Sequence, residues 1–589
     1  MTSMNAHAPI LVGGHPATPE QANVLAMATS STDSLVIQAM AGAGKSSVLM
    51  AIAESLPRLS FLYVAYNKAI VNDIGDKLPG NCSARTMHSI AFGALGKNYA
   101  HRLKGGARMK NTDMAKKLGI DQFTYKADGK IKRLSPGFLA SKVMAAVANF
   151  TNSAEYELGP SHFPYVDGID DAVDGKRGWT NNRLLVKELL PAAKKLWADK
   201  CNPQGQMPYT HDDYLKAYCL TKPVLDAQVV LCDEMQDANP VWLEMLAQQP
   251  ASVRLISVGD SQQNIYSYRG SVDALGQLEA RGASVAWMTT SFRFGPEIAS
   301  VANQILALIE GVDARVVGSP FKTSSVGYLD APDAILCRTN AECVRQAISA
   351  MNAGKRVHLV GGADEIIRFC EGVVQLEAEG WTSNPQLACF SSWDDVKVYV
   401  QTAEDAADLE SLVRLVDSFT PQILINALAG ICSERTADVV VSTAHRSKGR
   451  QWNKVQLAGD FRSPAKSLSQ ALDPAELRLL YVAVTRAIEV LDVSMVGLFQ
   501  WISSTTAVDS QGTPIGTHGI DVTVGETEGT FTAVMSSEEV TESAEGSTPL
   551  RALAMLDGRI RVMFRTERAI REPYLAAIRT VAAEYARTN

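Results

Sequence analysis

The stretch LVIQAMAGAGKSSVLM constrains the fold more than any other part of this 589-residue chain. An apolar run typical of a buried strand leads into small residues, among them Gly42 and Gly44, and then into Lys45 and Ser46. Residues 39–46 match GxxxxGK[ST] at every position except the first glycine. Such glycines let the backbone turn tightly and present N–H groups to phosphate oxygens, and the following helix adds its positive N-terminal end. The stretch therefore predicts a phosphate-binding loop, with Lys45 reaching the β- and γ-phosphates and Ser46 binding Mg²⁺.

Several other short apolar runs, each ending in polar residues, predict the strands of parallel sheets. Runs of this kind, separated by helical stretches, are typical of central strands covered by helices on both faces. The first run and its companions are DSLVIQAM, LSFLYVAY, AQVVLCDE, SVRLISVGD, ADVVVSTAH, NKVQLAGD and EVLDVSMVG. We therefore predict an α/β fold with two parallel-sheet cores, each carrying an inserted, mainly helical domain, and ligands bound at the carboxyl ends of the strands.

The grouping of these runs predicts the domain boundaries. The first core comprises residues 1–95 and 222–289, with a helical insertion over 96–221; the second comprises 290–362 and 437–503, with a shorter insertion over 363–436. Residues 504–589 form a C-terminal extension of unknown role. Its first part is rich in Ser, Thr, Gly and Glu, which favours a linker or a weakly ordered module, and a helix is predicted near its end in REPYLAAIRTVAAEYA.

Composition excludes several classes of protein. The formal charge of −7 excludes a strongly basic coat as a global property, but it does not exclude a local basic groove. The nine cysteines form no CxxC pair and no Cys/His cluster, which indicates reduced thiols. No signal peptide is predicted, and no apolar run approaches the roughly 20 residues of a membrane helix. We therefore expect a cytoplasmic protein without a membrane partner.

Polar residues that follow two of the predicted strands complete a hydrolytic site. Asp233 and Glu234 come directly after the apolar run of VVLCDEMQDANP, which favours a functional role over ordinary solvated charge. Asp233 is predicted to hold Mg²⁺, and Glu234 to orient or deprotonate the attacking water. After the next run, in ISVGDSQQNIYSYRGS, Gln262 and Gln263 can hydrogen-bond a γ-phosphate or its water.

The same segment continues with two tyrosines and a cation. Tyr266 and Tyr268 lie two residues apart, with Arg269 beside them. Aromatic rings near a cationic side chain suit stacking on the bases of single-stranded nucleic acid. Tyrosines in such a pattern are also commonly core residues with satisfied hydroxyls, so both interpretations stay open at this point.

Together these segments resemble superfamily 1 helicases of the UvrD/Rep group, over about residues 18–487. The motifs that carry the resemblance are TPEQANVLAMA, AYNKAI, TMHSIAF, TTSFRFGPEI, VSTAHRSKGRQW and ELRLLYVAVTRA, besides those quoted above. The residues of these motifs are most similar to those of the F-box DNA helicase branch, although the sequence shows no F-box. The resemblance implies two RecA-like P-loop NTPase cores, with ATP bound between them and hydrolysis opening and closing them.

The resemblance also implies roles for individual residues in nucleotide chemistry. Gln21 would read the adenine edge and Phe292 would stack on the adenine, while Arg293 and Arg486 would contact the γ-phosphate. The implied nucleotide-binding set further contains Ala41, Gly42, Ala43, Gly44, Lys45, Ser46, Ser47 and Gln451. The implied catalytic set is Lys45, Glu234, Gln263, Arg293 and Arg486, with Ser46 and Asp233 as the Mg²⁺ ligands.

A further set of residues matches the DNA-contacting positions of the family. These residues are Asn67, Thr86, His88, Tyr266, Tyr268, Arg269, Thr443 and His445. The sequence departs from the family pattern at three places: Ser47 stands where many relatives have Arg, Tyr268 where Trp is usual, and Gln451 where motif V usually carries Glu.

The resemblance implies an ATP-dependent DNA helicase or single-strand translocase that uses ATP and Mg²⁺ and moves 3′→5′. Its partners would be single-stranded DNA and junctions of single- and double-stranded DNA. A second hypothesis is a nucleic-acid-dependent ATPase switch or scaffold that acts with a partner protein, such as a nuclease, without productive unwinding. RNA as the track is a third. The locally basic segment 558–571 could bind DNA or a protein partner, although such a stretch is more commonly a solvated helix face.

Overall fold

The computed structural model divides the chain into two compact units, Met1–Ala39 with Lys45–Met288, and Met40–Gly44 with Thr289–Asn589. It describes residues 11–65, 68–104, 109–127, 129–166, 169–170, 178–265, 273–309, 311–384, 386–387, 390–402, 407–462, 473–503, 520–527, 530–537, 541–546, 551–553, 555–556, 578 and 581.

The first unit is built on a six-stranded parallel sheet. Its strands, in the order β10-β3-β9-β8-β4-β5, are β3 (Leu35–Ala39), β4 (Phe61–Ala65), β5 (Cys82–Thr86), β8 (Val229–Cys232), β9 (Arg254–Gly259) and β10 (Ser284–Met288). Every residue of β3, β4 and β8 is buried, as expected of strands that have helices on both faces. A small antiparallel pair, β1 (Leu11–Val12) and β2 (His15–Pro16), precedes the sheet.

Helices cover this sheet and form most of its insertion. Their bounds are Pro19–Ser30, Lys45–Ser55, Lys68–Gly75, Met87–Ala94, Ala100–Lys104, Asn111–Leu118, Pro136–Thr151, Thr180–Cys201, His211–Leu220, Pro240–Ala247 and Ala274–Ala280. The insertion has its own apolar core, in which Leu139, Val143, Phe150, Leu185 and Leu189 are buried. It also contains an antiparallel hairpin, β6 (Phe123–Ala127) and β7 (Lys130–Leu134), which the helical prediction did not include.

The second unit repeats the plan of the first. Its parallel sheet has the order β11-β16-β15-β12-β14-β13, formed by β11 (Ser325–Val326), β12 (Ala334–Cys337), β13 (Val357–Leu359), β14 (Val439–Thr443), β15 (Trp452–Leu457) and β16 (Ala487–Asp492). The predicted α/β class with two parallel-sheet cores is thus confirmed, and each quoted apolar run contributes a strand.

The helices of the second unit surround its sheet and make up its short insertion. Their bounds are Pro296–Leu306, Asn340–Asn352, Asp364–Glu379, Trp393–Thr402, Ala407–Phe419, Pro421–Leu428, Ala444–Ser447, Pro474–Val484 and Gly497–Ser503. Phe369, Val373 and Leu424 of the insertion belong to the same apolar cluster as Val357 and Val441 of the sheet. The second insertion is therefore packed as an extension of the core.

The C-terminal extension differs from the linker that its composition favours. It contains a three-stranded antiparallel sheet formed by β17 (Ile520–Thr527), β18 (Thr530–Ser537) and β19 (Thr541–Gly546). The sequence IDVTVGET alternates apolar and polar residues with the period of a strand, which a reading by composition overlooks. The basic segment 558–571 and most of the predicted terminal helix lie outside the described residues. Across the part of the chain that the structure describes, no helix combines the length and the apolarity needed to cross a membrane.

Candidate nucleotide and nucleic-acid site

The phosphate-binding loop leads, as predicted, from a buried strand to the start of a helix. Strand β3 ends at Ala39, and the helix begins at Lys45. Gly42 and Gly44 have φ of 78° and 83°, in the left-handed region that glycine adopts without steric cost. The sequence places glycine at the two points where the loop needs that conformation.

Asp233 lies at the centre of a buried hydrogen-bond network next to this loop. It follows β8 and is 1% exposed. Its Oδ2 atom accepts from the Ser46 hydroxyl at 2.7 Å and also from the hydroxyl of Tyr63. Its Oδ1 atom accepts from the backbone N–H of Glu234 at 2.9 Å. The two predicted Mg²⁺ ligands, Ser46 and Asp233, are thus in direct contact.

The electrostatics of this network depend on a cation. Burial and then the charge of Glu234 raise the pKa of Asp233, while hydrogen bonds from Tyr63 and Ser46 and the charge of Lys45 act in the opposite direction. Burial and the charge of Asp233 raise the pKa of Tyr63, so its hydroxyl stays protonated and donates. A site that buries carboxylates around a single lysine favours binding of a further cation.

The oxygen atoms present fit Mg²⁺ bound together with phosphates. Among the described residues, no group of three or more His, Cys, Asp or Glu side chains forms a metal cluster. Mg²⁺ commonly binds to one or two protein oxygens plus substrate phosphates and water. One carboxylate and one hydroxyl, from Asp233 and Ser46, are therefore the kind of ligand set that a nucleotide-bound Mg²⁺ requires.

Glu234 has an unusual backbone and a fixed side chain. Its φ of 54° makes it one of three non-glycine residues with positive φ in the described part of the chain. The side-chain amide of Gln236 donates to its Oε2, and the Oε1 of the same amide accepts from the N–H of Asp260 at 3.0 Å. Gln236 thus links the carboxylate after β8 to the end of β9.

Gln263 lies next to the same strand end. It is buried, and its side-chain amide donates to Oδ2 of Asp260 at 2.6 Å. Burial raises the pKa of Asp260, and the charge of Lys45 lowers it. Lys45, Glu234, Asp260 and Gln263 therefore form one connected polar group at the carboxyl ends of β3, β8 and β9.

Gln21 has a local partner in the structure. It is buried near the start of the helix Pro19–Ser30, and its Oε1 accepts from the N–H of Thr18 at 3.1 Å. The Thr18 hydroxyl accepts in turn from the N–H of Gln21 at 3.2 Å, which completes a capping box. The amide oxygen is thus oriented by the helix end, and the adenine contact of Gln21 remains a prediction.

In the second unit, residues 40–44 of the phosphate loop contact the segment with Phe292 and Arg293. The N–H of Phe292 donates to the carbonyl of Gly42 at 2.9 Å. A Cβ atom on Gly42 would lie 2.6 Å from the Ser291 hydroxyl and 2.8 Å from Cβ of Arg293. The N–H of Ala41 donates to the hydroxyl of Tyr481 at 3.3 Å. Glycine is therefore required at position 42 for two reasons: a side chain would collide with Ser291 and Arg293, and the backbone has a positive φ.

The two arginines of the predicted catalytic set have different surroundings. Arg293 donates through Nε to Oε1 of Gln451 at 2.9 Å and through its terminal nitrogen to the carbonyl of Thr485 at 2.8 Å. Arg486 is 1% exposed and donates to the carbonyl of Val482 at 2.8 Å and to the hydroxyl of Thr485 at 3.0 Å. Arg293 lies beside the phosphate loop, whereas Arg486 is held inside the second unit.

The predicted DNA-contacting residues that the structure describes lie at strand ends. Thr86 ends β5, and its hydroxyl caps the following helix by accepting from Ser89 N–H at 3.1 Å. Nε2 of His88 contacts Oδ1 of Asp212 at 3.2 Å, and this hydrogen bond lowers the pKa of Asp212. Thr443 ends β14 and caps the short helix that contains His445. The predictions for Asn67, Tyr266, Tyr268 and Arg269 lie outside the described residues.

Sequence reasoning missed two residues of this site, Tyr63 and Gln236. Tyr63 is the one polar side chain within the strand Phe61–Ala65, and an inward-facing hydroxyl there requires a partner. Gln236 follows the two carboxylates of DEMQD by two residues, within reach of the next strand end. For Tyr63 the available signal was a hydroxyl inside an apolar strand, and for Gln236 it was an amide next to two carboxylates.

Comparison with known proteins agrees with this architecture. A family model described as an AAA domain matches residues 21–269. The chain is 29% identical over 512 residues to the F-box DNA helicase protein 1 of Schizosaccharomyces pombe, covering 80% of this chain and 56% of that protein. It is 28% identical over 512 residues to the F-box DNA helicase 1 of Gallus gallus, covering 80% and 48%. A mitochondrial ATP-dependent DNA helicase of Saccharomyces cerevisiae is 23% identical over 307 residues, covering 49% and 40%.

The fold and the site thus define a P-loop nucleotide-binding protein with two RecA-like parallel-sheet cores. The matches confirm the resemblance to superfamily 1 helicases and to their F-box DNA helicase branch. The chain spans about half the length of the curated relatives it matches.

Proposed function

We propose that this chain is an ATP-dependent DNA helicase or single-stranded DNA translocase. The observation that carries the proposal is the connected group of Ser46, Asp233, Glu234 and Gln236 at the carboxyl ends of the first sheet. A structural loop would not need a lysine and a hydroxyl on the turn together with a buried carboxylate, from another strand end, that accepts from that hydroxyl. The F-box DNA helicases that share 28–29% identity with the chain support DNA as the track.

The residues of the first unit would carry the chemistry of hydrolysis. Ser46 and Asp233 would hold Mg²⁺, which supplies charge stabilisation on the phosphates. Lys45 would bind the β- and γ-phosphates. Glu234, oriented by Gln236, would accept the proton of the attacking water.

The residues of the second unit would stabilise the charge on the transferred phosphoryl group. Arg293 is the better placed of the two arginines, because its side chain lies beside the backbone of the phosphate loop. Arg486 would exchange its bond to the Val482 carbonyl for a phosphate contact during the cycle. Gln451 would act by orienting Arg293, because its amide oxygen accepts from Nε of that side chain.

Movement along DNA would follow from this hydrolysis. Thr86 and His88 in the first unit, and Thr443 and His445 in the second, would contact the strand, with Asn67, Tyr266, Tyr268 and Arg269 as the sequence predicts. The resemblance to the UvrD/Rep group is the basis for proposing the 3′→5′ direction, and the sequence without a predicted signal peptide is the basis for proposing a cytoplasmic location. A protein partner bound through the C-terminal extension also remains a proposal.

The deciding experiment is steady-state ATP hydrolysis by the full chain with and without single-stranded DNA, with single-stranded RNA in parallel. Strong stimulation by DNA alone is expected, and 3′- and 5′-tailed duplexes then report direction. Lys45→Ala serves as the inactive control. Hydrolysis that is indifferent to both nucleic acids would reject the motor and favour the scaffold form of the second hypothesis, in which the chain acts with a partner protein.

A further inference from the structure

The helix Pro474–Val484 carries a tyrosine on a buried face that is otherwise apolar. Tyr481 is 0% exposed, and it is the one polar side chain among the buried residues of this helix. A buried hydroxyl is costly unless it forms a hydrogen bond. The hydroxyl of Tyr481 accepts from the backbone N–H of Ala41, in the phosphate loop, at 3.3 Å. Ala41 is itself 0% exposed, so the helix uses a polar atom to hold a buried amide of the loop.

The end of the same helix also holds the side chain of Arg293. The hydroxyl of Thr485 donates to the carbonyl of Tyr481 at 2.9 Å, which joins these two residues across one turn. The carbonyl of Thr485 accepts from a terminal nitrogen of Arg293 at 2.8 Å. One helix turn is thus hydrogen-bonded to the phosphate loop through Tyr481 and to the guanidinium through Thr485.

These contacts close a ring, because the backbone next to Arg293 returns to the loop. The N–H of Phe292 donates to the carbonyl of Gly42 at 2.9 Å, and Gly42 directly follows the residue whose amide Tyr481 holds. That bond fixes the main chain beside Arg293 but leaves its long side chain a choice of rotamers. The helix turn fixes the other end of this side chain, the guanidinium. Every member of the ring lies in the second unit.

We propose that Tyr481 is a positioning residue for Arg293, whose hydroxyl fixes the guanidinium relative to the phosphate loop. The proposal rests on the proposed function, in which Arg293 stabilises charge on the transferred phosphoryl group. Such stabilisation depends on donors that are already in place, and a misplacement of about 1 Å can cost about 100-fold in rate. Tyr481 does not touch the nucleotide in this proposal; it acts through the helix turn that ends at Thr485.

The first part of the test needs no hydrolysis. Amide hydrogen exchange of the full chain without nucleotide is compared between the wild type, Tyr481→Phe and the matched control Tyr99→Phe. The control also removes a buried tyrosine hydroxyl, which donates to the Cys201 carbonyl at 2.7 Å in the insertion of the first unit. Unfolding midpoints check that each variant is folded.

In Tyr481→Phe the amides of Ala41 and Phe292 are both expected to exchange about 2–10-fold faster. Loss of one neutral hydrogen bond changes a local opening equilibrium by about this factor. The control keeps the wild-type exchange rate at both amides. Wild-type exchange at both amides in Tyr481→Phe would overturn the proposal. Faster exchange at Ala41 alone would also overturn it, because the hydroxyl would then hold the loop without any effect on the segment of Arg293.

The second part measures hydrolysis in single turnovers with single-stranded DNA, which report slow rate constants. The proteins are the wild type, Tyr481→Phe, Arg293→Ala and the double variant. Tyr481→Phe is expected to lower the rate constant about 2–10-fold, with the half-saturating ATP concentration unchanged. In the Arg293→Ala background the same substitution is expected to have no further effect, because a residue that acts through another is fully coupled to it in a double-mutant cycle.

An equal loss of rate in both backgrounds would overturn the proposal, since Tyr481 would then act independently of Arg293. A wild type that does not hydrolyse ATP would instead contradict the proposed function. The exchange rates at Ala41 and Phe292 would still decide whether the Tyr481 hydroxyl holds the ring together.

Discussion

The hydroxyl of Tyr63 and the hydroxyl of Ser46 donate to the same oxygen, Oδ2 of Asp233. Tyr63 is 0% exposed and lies on β4, whereas Ser46 lies in the first turn of the helix after the phosphate loop. If Ser46 turned to a bound Mg²⁺, as proposed, Tyr63 would be the partner that remains on the carboxylate. Tyr63 would then act as a positioning residue for Asp233.

Replacing Tyr63 by Phe is expected to raise the Mg²⁺ concentration that gives half-maximal hydrolysis by several-fold. The ring is retained, but a hydrogen bond to a buried carboxylate is lost, which typically costs about 1.5–3 kcal/mol. Titration of ATP hydrolysis with Mg²⁺ at saturating ATP measures the effect. An unchanged Mg²⁺ requirement, with only the unfolding free energy lowered, would reduce Tyr63 to a packing role.

Replacing Glu234 by Gln is expected to preserve ATP binding and remove turnover. The amide has almost the shape of the carboxylate but cannot accept the proton of the attacking water, and general-base catalysis typically contributes about 10²–10⁴-fold. Nucleotide affinity and hydrolysis rate are measured on the same preparation, with Lys45→Ala as the variant that loses both. Near-normal turnover in the Gln variant would reject the assignment of Glu234 as the base.

Replacing Gln451 by Ala is expected to lower kcat by about 2–10-fold with little change in KM for ATP. Its amide oxygen accepts from Nε of the Arg293 guanidinium, and because water competes with this exposed bond, its loss is expected to cost only about 0.5–1.5 kcal/mol. Gln451→Glu keeps an acceptor for Arg293 and is the matched comparison, expected to retain most of the activity. A rise in KM at constant kcat would instead support the direct nucleotide contact that the resemblance implies for Gln451.

The buried Lys216 predicts a dependence of stability on pH. Burial lowers the pKa of Lys216 to about 8, and its ammonium donates to the carbonyls of Ser153 and Glu155 at 2.7 and 2.6 Å. Because the folded pKa lies below the unfolded one, the folded state loses its proton first. The free energy of unfolding therefore gains a contribution as pH rises from about 8 to 10.5, amounting to roughly 3 kcal/mol.

The comparison of wild type with Lys216→Met isolates this contribution from other titrations. Denaturant unfolding at pH 7, 8, 9 and 10 gives the difference in stability between the two proteins. The wild type should gain relative to the variant across this range. A difference that stays constant with pH would show that Lys216 keeps an ordinary pKa in the folded protein.

The strands and the phosphate loop were predictable because their signals are local. The apolar runs that precede Asp233 and Asp260 predict buried strands by their composition. Gly42 and Gly44 predict the turn between strand and helix. The contacts that complete the site join residues far apart in sequence, such as Tyr63 with Asp233. No local pattern specifies such a pair, because the order of strands in the sheet determines it.

The secondary structure outside the cores was harder to predict from the sequence. The hairpin of β6 and β7 lies in a segment whose helical neighbours dominate its composition. The strands β17–β19 are rich in Ser, Thr and Gly, and composition outweighed their alternation. The hydrogen bond from Arg293 to Gln451 could not be predicted, because the fold brings together two segments that are far apart in sequence.

The left-handed backbone of Glu234 means that selection for stability and selection for a carboxylate favour different residues at this position. A non-glycine residue in that conformation costs about 1–2 kcal/mol, and Asn or Gly would adopt it more readily. Drift under selection for folding alone would therefore replace the glutamate. On the proposed role of Glu234 as the base, a relative with Asn or Gly at this position would keep the backbone conformation and lose hydrolysis.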